Sequence, residues 1–151
     1  MEIAIAPWLL TSGSGLTYGA YPKVNADFGY FINDNVELQL GLLAGMRTKG
    51  TSERLYGIYS GALYNFSNDH ERSFVGGAGV GYVNHYPAVI YDPDYPSSAY
   101  YYIRAGKRFL LSEDYHVTWA PYVEAMYGLR TGDGDQYWSG QINIFNFSML
   151  F

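Results

Sequence analysis

The chain has 151 residues, enough for one domain covering 1–151. Its net charge of −5 argues against nucleic acid as a partner, and the absence of cysteine excludes disulfides and thiolate metal sites. Charged residues are only 15% of the chain, against about 25% in ordinary soluble domains. Aromatic residues reach 19%, yet no stretch approaches the roughly 18 consecutive apolar residues of a transmembrane helix. A membrane β-barrel fits this composition, because its apolar signal is spread over every second residue.

The start, Met1-Glu2-Ile3-Ala4-Ile5, carries no signal peptide. We read it as a mature sequence behind an added initiator, with the export signal removed. A first strand is predicted over about 2–10, followed by the Ser- and Gly-rich loop 11–15. A second, about 21–32, sets Val24, Ala26, Phe28, Tyr30 and Ile32 against Lys23, Asn25, Asp27, Gly29 and Phe31. After the tight turn Asn33-Asp34-Asn35, a third strand sets Val36, Leu38, Leu40, Leu42 and Ala44 against Glu37, Gln39, Gly41, Leu43 and Gly45. The loop 48–53 leads to a fourth strand, about 54–66, and the short turn 67–72 to a fifth, about 73–84.

The longest loop, 85–98, is rich in Pro, Asp and Tyr. Strands follow over about 99–111 and 117–130, joined by the turn 112–116. After the loop 131–135 an eighth strand runs to Phe151, with large apolar residues at Phe145, Phe147, Met149 and Phe151. A chain end is ordinarily frayed and polar, so this pattern reads as a strand paired to its last residue. Ile142 and Ile144 have the opposite parity. Either a bulge near Ile144-Phe145 shifts the register, or the two isoleucines point inward.

Eight strands joined by alternating long and short connections predict an antiparallel up-and-down transmembrane barrel, all-β, with the last strand closing on the first. Charge placement decides which face is inside. Lys23, Asp27, Glu37, Arg47, Arg104, Arg108 and Glu124 all lie on the parity opposite the aliphatic residues, together with Asn25 and Gln39. Lys107 is an exception near a strand end, where it can snorkel. Aliphatic outside and ionic inside inverts the soluble lipocalin-like pattern, and the interior of eight strands is filled by side chains.

Turn centres predict individual pairings. Centring the turn 112–116 on Asp114 puts Arg104 opposite Glu124, with Tyr102, Tyr122 and Gln39 as candidate donors to the pair. Glu37, Gln39, Asp27 and Arg108 complete a predicted polar network in the lumen. Centring on Asp34 puts Glu37 opposite Phe31 and Gln39 opposite Gly29. Centring on residue 70 puts Tyr59 opposite Gly81 and Leu63 opposite Gly77, so that glycines 77, 79 and 81 make room for Tyr59 and Leu63. Outward aromatics form two predicted girdles. Phe28, Tyr30, Phe66, Phe74, Phe109, Trp119, Phe147 and Phe151 lie toward the short turns, and Tyr18, Tyr21, Tyr56, Tyr82, Tyr101, Tyr127, Tyr137 and Trp138 toward the long loops.

The run Gly29-Tyr30-Phe31-Ile32-Asn33-Asp34-Asn35-Val36-Glu37-Leu38, the segment Gly76-Gly77-Ala78-Gly79-Val80-Gly81-Tyr82 and the terminal Phe151 resemble the small outer-membrane β-barrel family that includes the OmpA transmembrane domain, OmpX and Ail. The likeness covers the whole chain but is one of pattern. It implies the outer membrane of a Gram-negative bacterium, no catalysis, and a role in adhesion, envelope integrity or lipopolysaccharide contact. It also implies that Phe147, Met149 and Phe151 form the signal read by the barrel-assembly machinery.

Enzymes of this architecture, a lipid A palmitoyltransferase and a lipid A 3-O-deacylase, are the alternative class, and a narrow pore is another. None of His70, His85 and His116 opens the His-x-Ser of the deacylase. His85, Asp92, Asp94, Ser97 and Ser98 share a loop and imitate a transferase rim, but loops are polar for their own reasons. No catalytic residue, cofactor or metal ligand is assigned. Asp92-Pro93-Asp94 and Asp133-Gly134-Asp135 carry oxygen ligands that also suit turns. Arg47, Lys49, Arg54 and Arg130 lie near the long-loop rim, placed for lipopolysaccharide phosphates or simply solvated. The loop 85–98 is the candidate surface for an external ligand.

Overall fold

The computed structural model describes the backbone of residues 2–11, 20–46, 54–84, 98–130 and 136–150, and the side chains of 25–44, 56–84, 99–128, 140 and 142–150. Among them there is no helix; the chain forms one curled antiparallel sheet. Its strands are β1 (Glu2–Thr11), β2 (Ala20–Phe31), β3 (Val36–Met46), β4 (Arg54–Asn65), β5 (Phe74–Val83), β6 (Ser98–Lys107), β7 (Phe109–Ser112), β8 (Val117–Trp119), β9 (Tyr122–Arg130), β10 (Gln136–Asn143) and β11 (Phe147–Leu150). The spatial order is β10-β9-β6-β5-β4-β3-β2-β1-β11-β8-β7.

Eight strands were expected; the described residues form eleven, with breaks at Arg108, at Ala120–Pro121 and at Ile144–Asn146. The interruptions lie at one level. Lys107 donates its N–H to the Pro121 carbonyl, and Arg108, between β6 and β7, donates its own to Ser73. Pro121, between β8 and β9, has no N–H to give the ladder. Across from it, Asn143 pairs with Tyr122 and Phe147 with Trp119, so Ile144, Phe145 and Asn146 face only Ala120 and Pro121. That is a one-residue bulge. Asn146 closes the gap twice. Its carbonyl accepts from the Ala120 N–H at 2.8 Å, and its side-chain amide donates to the Ala120 carbonyl at 3.0 Å.

The bulge resolves the parity conflict. Ile142 and Ile144 are exposed, as are Phe145 and Phe147, so the alternative of inward isoleucines is wrong. The turn-centred registers hold: Arg104↔Glu124, Glu37↔Phe31, Gln39↔Gly29, Tyr59↔Gly81 and Leu63↔Gly77 are all paired. β1 pairs with β2 from Glu2 to Thr11, but with β11 only from Glu2 to Ile5. Pro7 follows two residues later and lacks the donor a longer ladder would need.

Facing follows the charge pattern. Leu38, Leu40 and Leu42 are 47%, 46% and 50% exposed, whereas Glu37 is 0% and Arg108 2%. Of the outward aromatics, Phe28, Tyr30, Phe66, Phe74, Phe109 and Phe147 are exposed toward the short turns, and Tyr56, Tyr82 and Tyr101 toward the other end. Trp119 and Tyr127 are half-buried, and the side chains of Tyr18, Tyr21, Tyr137, Trp138 and Phe151 lie outside the described residues. Lys107 lies outward with its ammonium 4.5 Å from the ring centre of Phe74 and 5.1 Å from that of Phe109.

One packing expectation is corrected. Leu63 does lie over Gly77, but Tyr59 covers Gly41 rather than Gly81. Tyr59 has a glycine directly across on each neighbour, Gly41 on β3 and Gly81 on β5. Gly81 already lies under Tyr100, its partner from β6. The ring of Tyr59 therefore turns toward β3.

Candidate functional site: the polar interior

All six residues assigned to the interior network face inward and come together. Arg104 on β6 meets its cross-strand partner Glu124 on β9, Nε to Oε2 at 2.8 Å and Nη2 to Oε2 at 2.7 Å. Its Nη1 donates to Gln39 Oε1 at 3.3 Å and lies 3.9 Å from Asp27 Oδ2. The guanidinium also sits over the rings of Tyr122, Tyr102 and Tyr59, at 4.2, 5.2 and 5.6 Å from their centres. A second cluster lies nearer the short turns, where Arg108 Nη2 meets Glu37 Oε2 at 2.6 Å and Nη1 donates to Asn65 Oδ1.

Gln39 joins the two clusters, accepting from Arg104 and donating to Glu37 Oε1 at 3.4 Å. Its role corrects the expected one, since toward Arg104 it is an acceptor. Tyr102 and Tyr122 likewise serve Arg104 with the negative faces of their rings rather than as hydroxyl donors. Sequence reasoning left Asn65, Asn25 and Tyr59 out of the network. Tyr59 donates its hydroxyl to Asp27 and accepts from Asn25 Nδ2 at 2.9 Å. The signal was present: each of these three shares the inward parity of the ionic residues.

Electrostatically the interior is a set of charges matched at short range. A carboxylate or guanidinium taken from water survives only when paired and hydrogen-bonded. Both arginines meet that condition with a carboxylate and an amide oxygen each. The arrangement is suited to holding the sheet's curvature. Apart from the Gln39–Glu37 bond within β3, its bonds cross between strands, and the contacts of Arg108 with Glu37 and of Arg104 with Gln39 cross to non-adjacent strands.

The short turns are knitted separately. His70 stacks on Phe31 with ring centres 4.4 Å apart and bonds the Asp34 carbonyl through Nε2. His116, at φ 50°, places Nδ1 against Glu71 Oε1. Arg72 bridges Asp69 and Glu113 at 3.2 and 3.1 Å, and the Asp69 hydrogen bond, ahead of the one from Glu113, raises its pKa. Each of these two histidines ties one turn to the next.

Among the described residues no group of three or more His, Asp or Glu side chains is placed to hold a metal. The loop residues His85, Asp92, Asp94 and Ser97, both Asp loop motifs, and Arg47, Lys49 and Phe151 lie outside the described residues. Arg54 opens β4 and Arg130 ends β9, but their side chains lie outside the described set, as does that of Ser98 at the start of β6. Phe147 and Met149 face outward beside the buried Ser148. No family model, curated protein or solved structure matches the chain.

Proposed function

We propose that this chain is an integral outer-membrane β-barrel in which eight strand paths close into a ring around a side-chain-filled interior. In this reading β6/β7, β8/β9 and β10/β11 are each one crossing, and the β1–β11 pairing is the closing seam. The protein acts without catalysis, as a structural or surface-interaction component of a Gram-negative envelope. Lipid and lipopolysaccharide are its surroundings, the barrel-assembly machinery inserts it, and the connection 85–98 is its candidate contact with an external ligand.

The observation that carries this reading is the inverted facing. Leu38, Leu40, Leu42, Ile58, Ile103 and Val123 stand on the outside while Asp27, Glu37, Arg104, Arg108 and Glu124 are buried. Hiding a large aliphatic side chain from water is worth about 1.5–3 kcal/mol, so a band of them facing water would be heavily unfavourable. Facing acyl chains, the same band is the expected lipid surface of a barrel. The ion pairs fill the centre, which supports a plug over a pore.

The test is to refold the full chain with and without detergent or lipid vesicles. A heat-modifiable band on a gel, formed only with detergent or lipid, is expected. A monodisperse, folded protein in plain buffer would overturn the membrane assignment. Mass spectrometry of lipid A from cells with and without the protein then separates the structural role, which leaves acyl chains unchanged, from an acyl-modifying enzyme.

A further inference from the structure

A void of about 20 Å³ in the interior is lined by Asp27, Gln39, Arg104, Arg108, Tyr122 and Asn146, with apolar side chains closing the rest. A buried water needs roughly 10–15 Å³ of such space and two to four polar partners. The void meets both conditions. Its walls also carry both signs of charge. A cation would sit against two arginines and an anion against Asp27, whereas a neutral dipole is served by each wall.

Asn146 supplies a second and independent observation. It is 6% exposed, and its Oδ1 accepts no hydrogen bond from the described residues. Reversing the amide does not help, because Nδ2 is held by the Ala120 carbonyl, which Oδ1 could only repel. A buried carbonyl oxygen fixed in this way calls for a donor from the void it borders.

We propose that this void is a single-water site. The water donates to Asn146 Oδ1 and accepts from a guanidinium N–H, so the bulge residue Asn146, otherwise bonded to Ala120, is tied into the arginine network of the interior. The bulge at Ile144–Asn146 thereby gains a purpose beyond register, since it brings a buried amide to a place where the ladder alone offers none. The inference concerns the interior only and stands whatever surrounds the sheet.

The test is water–protein NOE and ROE spectroscopy on the full chain in whichever medium keeps it folded, read at the side-chain amides of Asn146 and Gln39. Cross-peaks of the sign expected for a long-lived water are predicted at both amides, unchanged when chloride is exchanged for bromide or sodium for potassium. Asn146→Leu, which removes the acceptor and fills the space, should lose the peak at Gln39, while Asn146→Asp should keep it. If Asn146→Leu does not fold, the wild type decides alone. Absence of a water peak at assigned Asn146 and Gln39 amides overturns the proposal, and so does a signal that changes with the identity of the salt.

Discussion

The ring of Tyr59 lies over Gly41, its direct partner on β3, where a Cβ would overlap the ring. The relationship recurs: Tyr100 covers Gly81, Tyr102 covers Gly79 and Tyr122 crowds Gly106, each across a single ladder rung. A missing side chain on one strand thus makes room for an aromatic one on the next, and the tyrosines in turn shield the backbone of the glycines.

Gly41→Ala should therefore destabilise the fold by about 1–3 kcal/mol through overpacking. Gly140 is the control, since its nearest neighbour is the Glu124 carbonyl oxygen at 3.9 Å, and Gly140→Ala should be close to neutral. Urea midpoints of the two variants, measured side by side, check this. Equal midpoints would mean that Tyr59 can move aside at no cost.

The Arg104–Glu124 pair predicts strong coupling. Removing one partner from a buried pair costs about 3–5 kcal/mol, because the other charge is left uncompensated. Arg104→Met and Glu124→Gln should each lower stability on that scale, and the double variant by clearly less than their sum. A double-mutant cycle by equilibrium unfolding measures the difference. Additive losses would show that Gln39, Asp27 and the tyrosine rings hold each charge independently of the other.

Much of this was legible in the sequence, for a physical reason. A strand has a side-chain period of two, so one look at Glu37, Gln39 and Gly41 against Leu38, Leu40 and Leu42 fixes both faces of β3. Turn centres then fix registers by counting, which is how Arg104 and Glu124 were brought opposite each other. What counting cannot supply is the direction in which a long side chain leans once it leaves its rung. Tyr59 has two equivalent glycines by register, and only the competition with Tyr100 for Gly81 selects Gly41. The donor and acceptor roles around Arg104 escape counting for the same reason, since ring faces and hydroxyls lie on one side chain and parity does not tell which of them arrives. The bulge was visible only as a parity conflict, with two solutions until the pairing of Asn143 and Phe147 was known.

Outward positions should respond to charge in a way that depends on the surrounding medium. Leu40→Arg, at the middle of β3 and 46% exposed, should cost about 2–4 kcal/mol in a bilayer. The same substitution on a water-facing surface would fall within about 0.5 kcal/mol of neutral. Folding in vesicles, followed by gel mobility across a urea series, reads the difference. A neutral result would remove the support that the exposed leucines give to a lipid-facing surface.

The bulge makes the most discriminating prediction, because it requires residues of opposite parity to share a face. Ile142 and Phe145 are 64% and 58% exposed, while Asn143 between them is 3%. The chain has no native cysteine, so single substitutions can be labelled without background. Ile142→Cys and Phe145→Cys, carrying nitroxides, should both be broadened by oxygen, the apolar relaxant, whereas Asn143→Cys should be shielded from it. An unbulged strand would expose only one of the first two, and the other would pattern with Asn143. Pro121→Ala adds the mechanistic half of the test. Restoring an N–H opposite the bulge supplies the donor that the ladder lacks at this level, so the contrast between Ile142 and Phe145 should grow if the extra residue is held only by Pro121. It should stay unchanged if the two Asn146–Ala120 hydrogen bonds are what fix it, and their lengths of 2.8 and 3.0 Å favour this second outcome.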